Sequence, residues 1–187
     1  AIKSRYRPRR KLGTMSWICK TLLVCLAFNP VMDYTNNDEF VEQVQACALH
    51  LNSMHAEQDR VPVNLIVAQA VHESNWGKSR FAREANNLLG IRTFDPTDDQ
   101  LKPLDNPNAT WGLRIFETKC ESISYYIDLL NHNHHYYKFR SERISQHFSD
   151  KIDLERLAKT LAIYAEDVYY TQKIIRTIKE LEAYDRD

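Results

Sequence analysis

The chain has only four glycines and six prolines in 187 residues, too few to punctuate a strand-and-turn architecture. No surplus of either charge exists, because 25 Lys and Arg balance 25 Asp and Glu. That balance gives no electrostatic reason to expect a nucleic-acid partner. The four cysteines, Cys19, Cys25, Cys47 and Cys120, include no C-x-x-C pair, which argues against a zinc knuckle or a thioredoxin-like site. Repeats, low-complexity tracts and clear linkers are also missing. What remains is a chain long enough for one domain with a sizeable core.

Residues 1–35 stand apart from the rest. Arg5, Arg7, Arg9, Arg10 and Lys11 precede the apolar stretch Trp17 to Phe28, which Lys20 interrupts. A basic segment ahead of a short apolar run has the form of an export signal, with an anchor or a docked helix as the alternatives. The stretch is shorter than the ~20 residues a spanning helix needs. Membrane association is expected only through this segment.

Residues 36–187 read as mainly helical. Asn36 or Asn37 caps a helix on which Phe40, Val44, Cys47, Leu51 and Met54 form one stripe. Cys47 on that stripe reads as a buried thiol, and a bond to Cys120 is an open alternative that spacing does not decide. Pro62 suits the first turn of a second helix, and Leu65 to Val71 make that helix apolar almost all round, hence buried. Between Asn87 and Phe116 the helical pattern stops. Leu88 to Phe94 and Thr110 to Phe116 are expected to pair as short strands of a small β-lobe. Thr118-Lys119-Cys120-Glu121 has the capping-box form and opens a third helix bearing Ile123, Tyr126, Ile127 and Leu130. Further helices are expected over Asp153–Tyr164, with Ala162 inward, and over Tyr170–Tyr184.

Glu73 ends the buried helix, just before a Trp76-Gly77 break. The helix dipole there disfavours a negative charge, and a dry cleft would do the same. A carboxyl kept protonated can donate to a leaving group. A surface or ion-paired glutamate is the plain alternative. His72-Glu73 opens like H-E-x-x-H, but Trp76 stands where the second histidine belongs. His132, His134 and His135 cluster at a helix end, where they complement the dipole, so no metal site and no cofactor is expected.

Three segments in order carry a resemblance. They are Val71-His72-Glu73-Ser74-Asn75-Trp76-Gly77, Asn87-Leu88-Leu89-Gly90-Ile91 and Tyr164-Ala165-Glu166-Asp167-Val168-Tyr169-Tyr170. With them, residues 61–185 resemble the glucosaminidase domain of peptidoglycan hydrolases, glycoside hydrolase family 73. Ser79 to Asn87 looks nearest to its Bax-like subgroup. The resemblance implies a lysozyme-like helical domain of mainly α (α+β) class, with a small β-lobe inserted after the catalytic helix. It implies an endo-β-N-acetylglucosaminidase that cleaves β-1,4 bonds of peptidoglycan strands in the periplasm, the cell envelope or the medium. Glu73 is carried over as general acid and Tyr170 as the tyrosine that steadies the substrate's acetamido group. The second carboxylate has no unique counterpart, and Asp99 and Glu117 are the candidates in the β-lobe. Trp76, Asn87, Gly90, Phe94 and Tyr164 are expected along the substrate cleft. A lytic transglycosylase and an inactive glycan-binding module are the competing readings.

Overall fold

The computed structural model describes residues 31–149 and 151–184. Of residues 1–35, expected to be an export signal, an anchor or a docked helix, residues 1–30 lie outside the described ones. Helix α1 spans Asn37–Ser53. It starts because Asn36 is extended and its side chain accepts from the Glu39 amide, while Glu39 in turn accepts from the Thr35 amide and hydroxyl. Phe40, Val44, Cys47 and Leu51 are buried as the stripe requires. Met54 is not: it is the C-cap, 64% exposed, because the helix stops before that turn comes round to the core.

Asn52 closes the next connection. It donates to the Val61 carbonyl at 2.7 Å and accepts from the Val61 amide at 3.1 Å. Pro62 serves as the N-cap of α2 (Val63–Ser74) rather than as its first-turn residue. Every side chain from Leu65 to Val71 is buried, so α2 runs through the middle of the molecule. Burial of Leu65, Ile66, Val67 and Val71 contributes about 1.5–3 kcal/mol each. Its principal neighbours are α1 and α7 (Tyr170–Tyr184).

A short helix α3 (Arg80–Glu84), capped by Ser79, leads into the β-lobe. There β1 (Arg92–Thr93), β2 (Gln100–Leu101) and β3 (Gly112–Arg114) form an antiparallel sheet in the order β1-β3-β2. Arg92 and Leu101 both lie opposite Leu113, on its two sides. The expected pairing of the two stretches is found, with β2 added as a third strand.

Helix α4 (Lys119–His132) begins at the capping box: Thr118 accepts from the Glu121 amide, and Glu121 accepts from the Glu117 amide. Cys47 is not a free thiol. It is bonded to Cys120, so α1 and α4 are joined covalently. Helix α5 (Tyr137–Gln146) packs on α6 (Leu154–Thr160). The helix expected as far as Tyr164 ends at Thr160, and a 3-10 turn over Ala162–Tyr164 follows. That break turns Ala162 outward and Tyr164 into the core. The result is the expected mainly helical, lysozyme-like domain with a small β-lobe.

Candidate active site

Glu73 is the penultimate residue of α2 and is half-buried. Directly after it the chain reverses through three successive left-handed residues, Asn75, Trp76 and Gly77, with φ of 50°, 57° and 71°. The reversal is held from within. The Ser74 hydroxyl donates to the Ala70 carbonyl at 2.6 Å and accepts from the Gly77 amide at 2.7 Å. It is also held from outside, since Tyr34 donates to the Gly77 carbonyl at 3.2 Å. A Cβ on Gly77 would come within 2.0 Å of the Tyr34 oxygen, so the close approach requires glycine. Ser74 is thus a backbone clip, and Trp76 lies edge-on to Phe40 at 6.4 Å, packed partly into the core.

Four phenols from the other half of the chain surround the acid. Tyr126 comes from α4, Tyr136 from the turn before α5, Tyr164 from the 3-10 turn and Tyr170 from the start of α7. Burial, and then the nearby charge of Glu73, push Tyr136, Tyr164 and Tyr170 far above the usual tyrosine range. Tyr126 is raised in the same sense by burial, by Tyr136 and by Glu73. All four are therefore neutral at ordinary pH. Tyr164 is the centre of the cluster, with ring centroids 5.7 Å from Tyr126, 6.2 Å from Tyr136 and 6.0 Å from Tyr170.

Their hydroxyls are mostly committed. Tyr164 donates to the Leu89 carbonyl at 2.6 Å, tying the start of the β-lobe to the phenol cluster. Tyr170, only 1% exposed, accepts from Gln69 Nε2 at 2.7 Å. Tyr126 donates to Gln69 Oε1. The Tyr136 hydroxyl is buried with no partner.

The β-lobe residues divide into two groups. Asn87 is buried, and its amide accepts from the Ile91 amide and donates to the carbonyls of Ile91 and Arg114 at 2.8–2.9 Å. Gly90, at φ 60°, completes that turn. These two build the lobe. Phe94 is 39% exposed on its surface. Asp99 is exposed, and its carbonyl accepts from the Ile115 amide. Its neighbour Asp98 is instead committed to Thr93 and Arg114. Glu117 is exposed at the lobe's exit, where Asn86 grips its carbonyl. Arg92 lies over the Trp111 ring at 4.2 Å and pairs with Glu166 at 3.3 Å, bridging the lobe to the segment before α7.

Among the described residues no three His, Cys, Asp or Glu side chains converge on a possible metal position. The His134 and His135 rings lie against each other, 3.8 Å apart. Sequence reading missed Gln69, Tyr126 and Tyr136 as neighbours of the acid. Gln69 did leave a signal, since an amide inside an otherwise apolar buried helix must find partners. Tyr126 and Tyr136 left none, because their closeness to Glu73 depends on how α4 and the turn after it pack.

The sequence model of the glucosaminidase family, described as mannosyl-glycoprotein endo-beta-N-acetylglucosaminidase, matches residues 51–183. Protein bax of Escherichia coli (strain K12) is 29% identical over 100 residues, covering 54% of this chain and 35% of that protein. Peptidoglycan hydrolase FlgJ of Salmonella typhimurium is 26% identical over 140 residues, 68% of this chain and 42% of its own length. The chain thus spans well under half of the curated relatives it matches. Among solved structures, the catalytic domain of the autolysin Auto from Listeria monocytogenes superposes with a TM-score of 0.58 at 20% identity, covering 83% of this chain and 90% of that one. A peptidoglycan hydrolase mutant from Sphingomonas sp. A1 gives 0.53 at 22% identity, with 76% and 92% covered. Both likenesses establish the fold.

Proposed function

The chain belongs to the glucosaminidase family, and from that premise we propose that it hydrolyses peptidoglycan, cutting β-1,4 bonds next to N-acetylglucosamine with Glu73 as general acid. The observation that carries this reading is the setting of Glu73, at the end of a buried helix and ringed by neutral phenols. A glycosidic oxygen leaves only when it is protonated, so the reaction needs a carboxyl in such a place. Glu73 delivers its proton to the bridging oxygen as the anomeric C–O bond breaks. The substrate's own acetamido oxygen then bonds to the anomeric carbon. Water opens that ring, and Glu73 recovers a proton from the water.

The substrate-assisted course is favoured because it needs one carboxyl. Asp99 and Glu117 are the proposed bases should water be activated directly. Glycosidases that use two carboxyls hold them ~5–5.5 Å apart when retaining and ~6.5–9.5 Å apart when inverting. Tyr170 is proposed to steady the substrate's acetamido group, its buried hydroxyl being fixed by the Gln69 amide. Phe94 is exposed enough to meet a sugar face, and Trp76 keeps a partly exposed ring. Asn87, Gly90 and Tyr164 act from behind by fixing the lobe.

The Cys47–Cys120 bond fits an oxidising compartment, hence action in the periplasm, the cell envelope or the medium. The test is Glu73→Gln on purified peptidoglycan, with sugar release expected to drop by at least ~10²-fold. Mass spectrometry should find reducing-end N-acetylglucosamine. 1,6-Anhydro-muramic products would transfer the protein to the lytic transglycosylases, equal release by both forms would remove Glu73 as the acid, and no release by the wild type would leave only a binding module.

A further inference from the structure

A second recess, of about 300 Å³, lies beside the chain reversal that follows Glu73. Gly77, the last residue of that reversal, forms part of its wall, and Tyr34 forms another part. Three cations line it and come from three places in the chain: Lys78 from the turn, Arg83 from α3 and Lys119 from the first residue of α4. Asp33 is its one acidic lining residue.

The partners of these cations are neutral. Lys119 is half-buried, donates to the Met32 carbonyl at 3.3 Å and lies 5.1 Å from the centre of the Tyr34 ring. Lys78 donates to Asn37 Oδ1 at 2.7 Å, and Arg83 is exposed. No ion pair among the described residues includes any of the three. Burial pulls the Lys119 ammonium below its usual range, and Asp33 only partly opposes this. An ammonium that has lost part of its hydration gains from an anion brought to it. Three like charges held together also raise the local potential and draw anions in. The Tyr34 hydrogen bond to the Gly77 carbonyl fixes this wall to the turn behind the acid.

The strands cut in the proposed reaction bear short peptides on alternate sugars, and those peptides carry free carboxylates. Gly77 is four residues from Glu73, so the chain between them spans at most ~14 Å. An extended stem of four residues covers the same ~14 Å. A stem on a sugar beside the scissile bond is therefore long enough to reach the recess. We propose that the recess is a subsite for the peptide stem, in which Lys119, Arg83 and Lys78 receive stem carboxylates while the glycan lies at Glu73. This rests on peptidoglycan being the substrate. The cations act on bound substrate and transition state alike, so their contribution appears in KM.

The test uses soluble glycan fragments with their stem carboxyls intact and the same fragments with those carboxyls converted to methylamides. Both kcat and KM are measured on each, with folding checked by thermal melting. Wild type should cut the carboxylate form with kcat/KM roughly 10-fold higher, as suits charge-assisted hydrogen bonds to partly exposed cations. Most of that preference should lie in KM, and it should shrink as salt rises. Lys119→Met, which keeps the apolar length of the side chain, should reduce the preference to about two- or three-fold. Lys119→Met combined with Arg83→Gln should abolish it. Equal cleavage of the two forms by wild type, or an undiminished preference in the double variant, would overturn the proposal. If Lys119→Met melts below the assay temperature, Lys78→Gln with Arg83→Gln, both at exposed positions, should lower the preference at least about three-fold. Failure of wild type to cut either form removes the hydrolase reading and this subsite with it, whereas equal cleavage removes the subsite alone. A wild type without preference that binds phosphatidylglycerol vesicles through Lys119 would assign the recess to a membrane surface and overturn the proposal.

Discussion

Replacing both bridging cysteines, Cys47→Ala with Cys120→Ala, should destabilise the domain by about 4 kcal/mol. The figure follows from the 73-residue separation of the two, since a cross-link over that length removes chain entropy from the unfolded state in proportion to its logarithm. The closed loop carries α2, α3 and the whole β-lobe, so it restrains the segment that bears Glu73. Both sulfur positions are buried, and emptying them adds a small cavity cost in the same direction. With a urea slope of about 2 kcal/mol/M, the midpoint should fall by roughly 2 M, and the melting temperature by roughly 10–15 °C. Reductant should bring the wild type down to the level of the variant. A variant within about 1 kcal/mol of wild type would refute the reasoning, because the unfolded chain would then gain almost nothing from release of the loop.

Two further outcomes are expected. Gly77→Ala should cost at least about 2 kcal/mol by urea unfolding, from its positive φ and from the collision with Tyr34. In a Tyr34→Ala background only the φ part, about 1 kcal/mol, should remain; an unchanged cost there would show that the Tyr34 contact is irrelevant. Stability should also fall in alkali. Tyr126, Tyr164 and Tyr170 have folded values raised well above 10.0, so the unfolded chain ionises first. Their contribution is complete below about pH 10 and is lost as pH climbs toward the raised folded values, by up to ~1.4 kcal/mol per pH unit for each tyrosine. Urea midpoints at about pH 8 and about pH 11 measure this, and equal midpoints would contradict burial of the phenols.

The helices that can be read from sequence are those whose signals are local. Asn36 and Thr118 announce α1 and α4 because a cap and its partner lie within three residues. The stripe expected on α7 is Ile174, Ile175, Ile178 and Leu181; Ile175 is half-buried against the core and the other three are buried. Where a signal depends on packing, the reading slips. Ala162 has helical spacing from Leu154, yet α6 ends at Thr160 and sends it outward. Helix α5 is mostly polar, with exposed Tyr137 and Ile144, and gave no clear stripe to read. At the site, Glu73 and Tyr170 are legible because they sit in recognisable segments. Gln69 meets Tyr126 and Tyr170 across 57 and 101 residues, and no periodicity reports a meeting at that distance.

That distance has a consequence in time. At ribosomal speeds of about 5–20 residues per second, the acid's helix exists for roughly 5–20 s before the tyrosine that opens α7 is made. A half-synthesised or half-translocated chain carries the glutamate without its phenols.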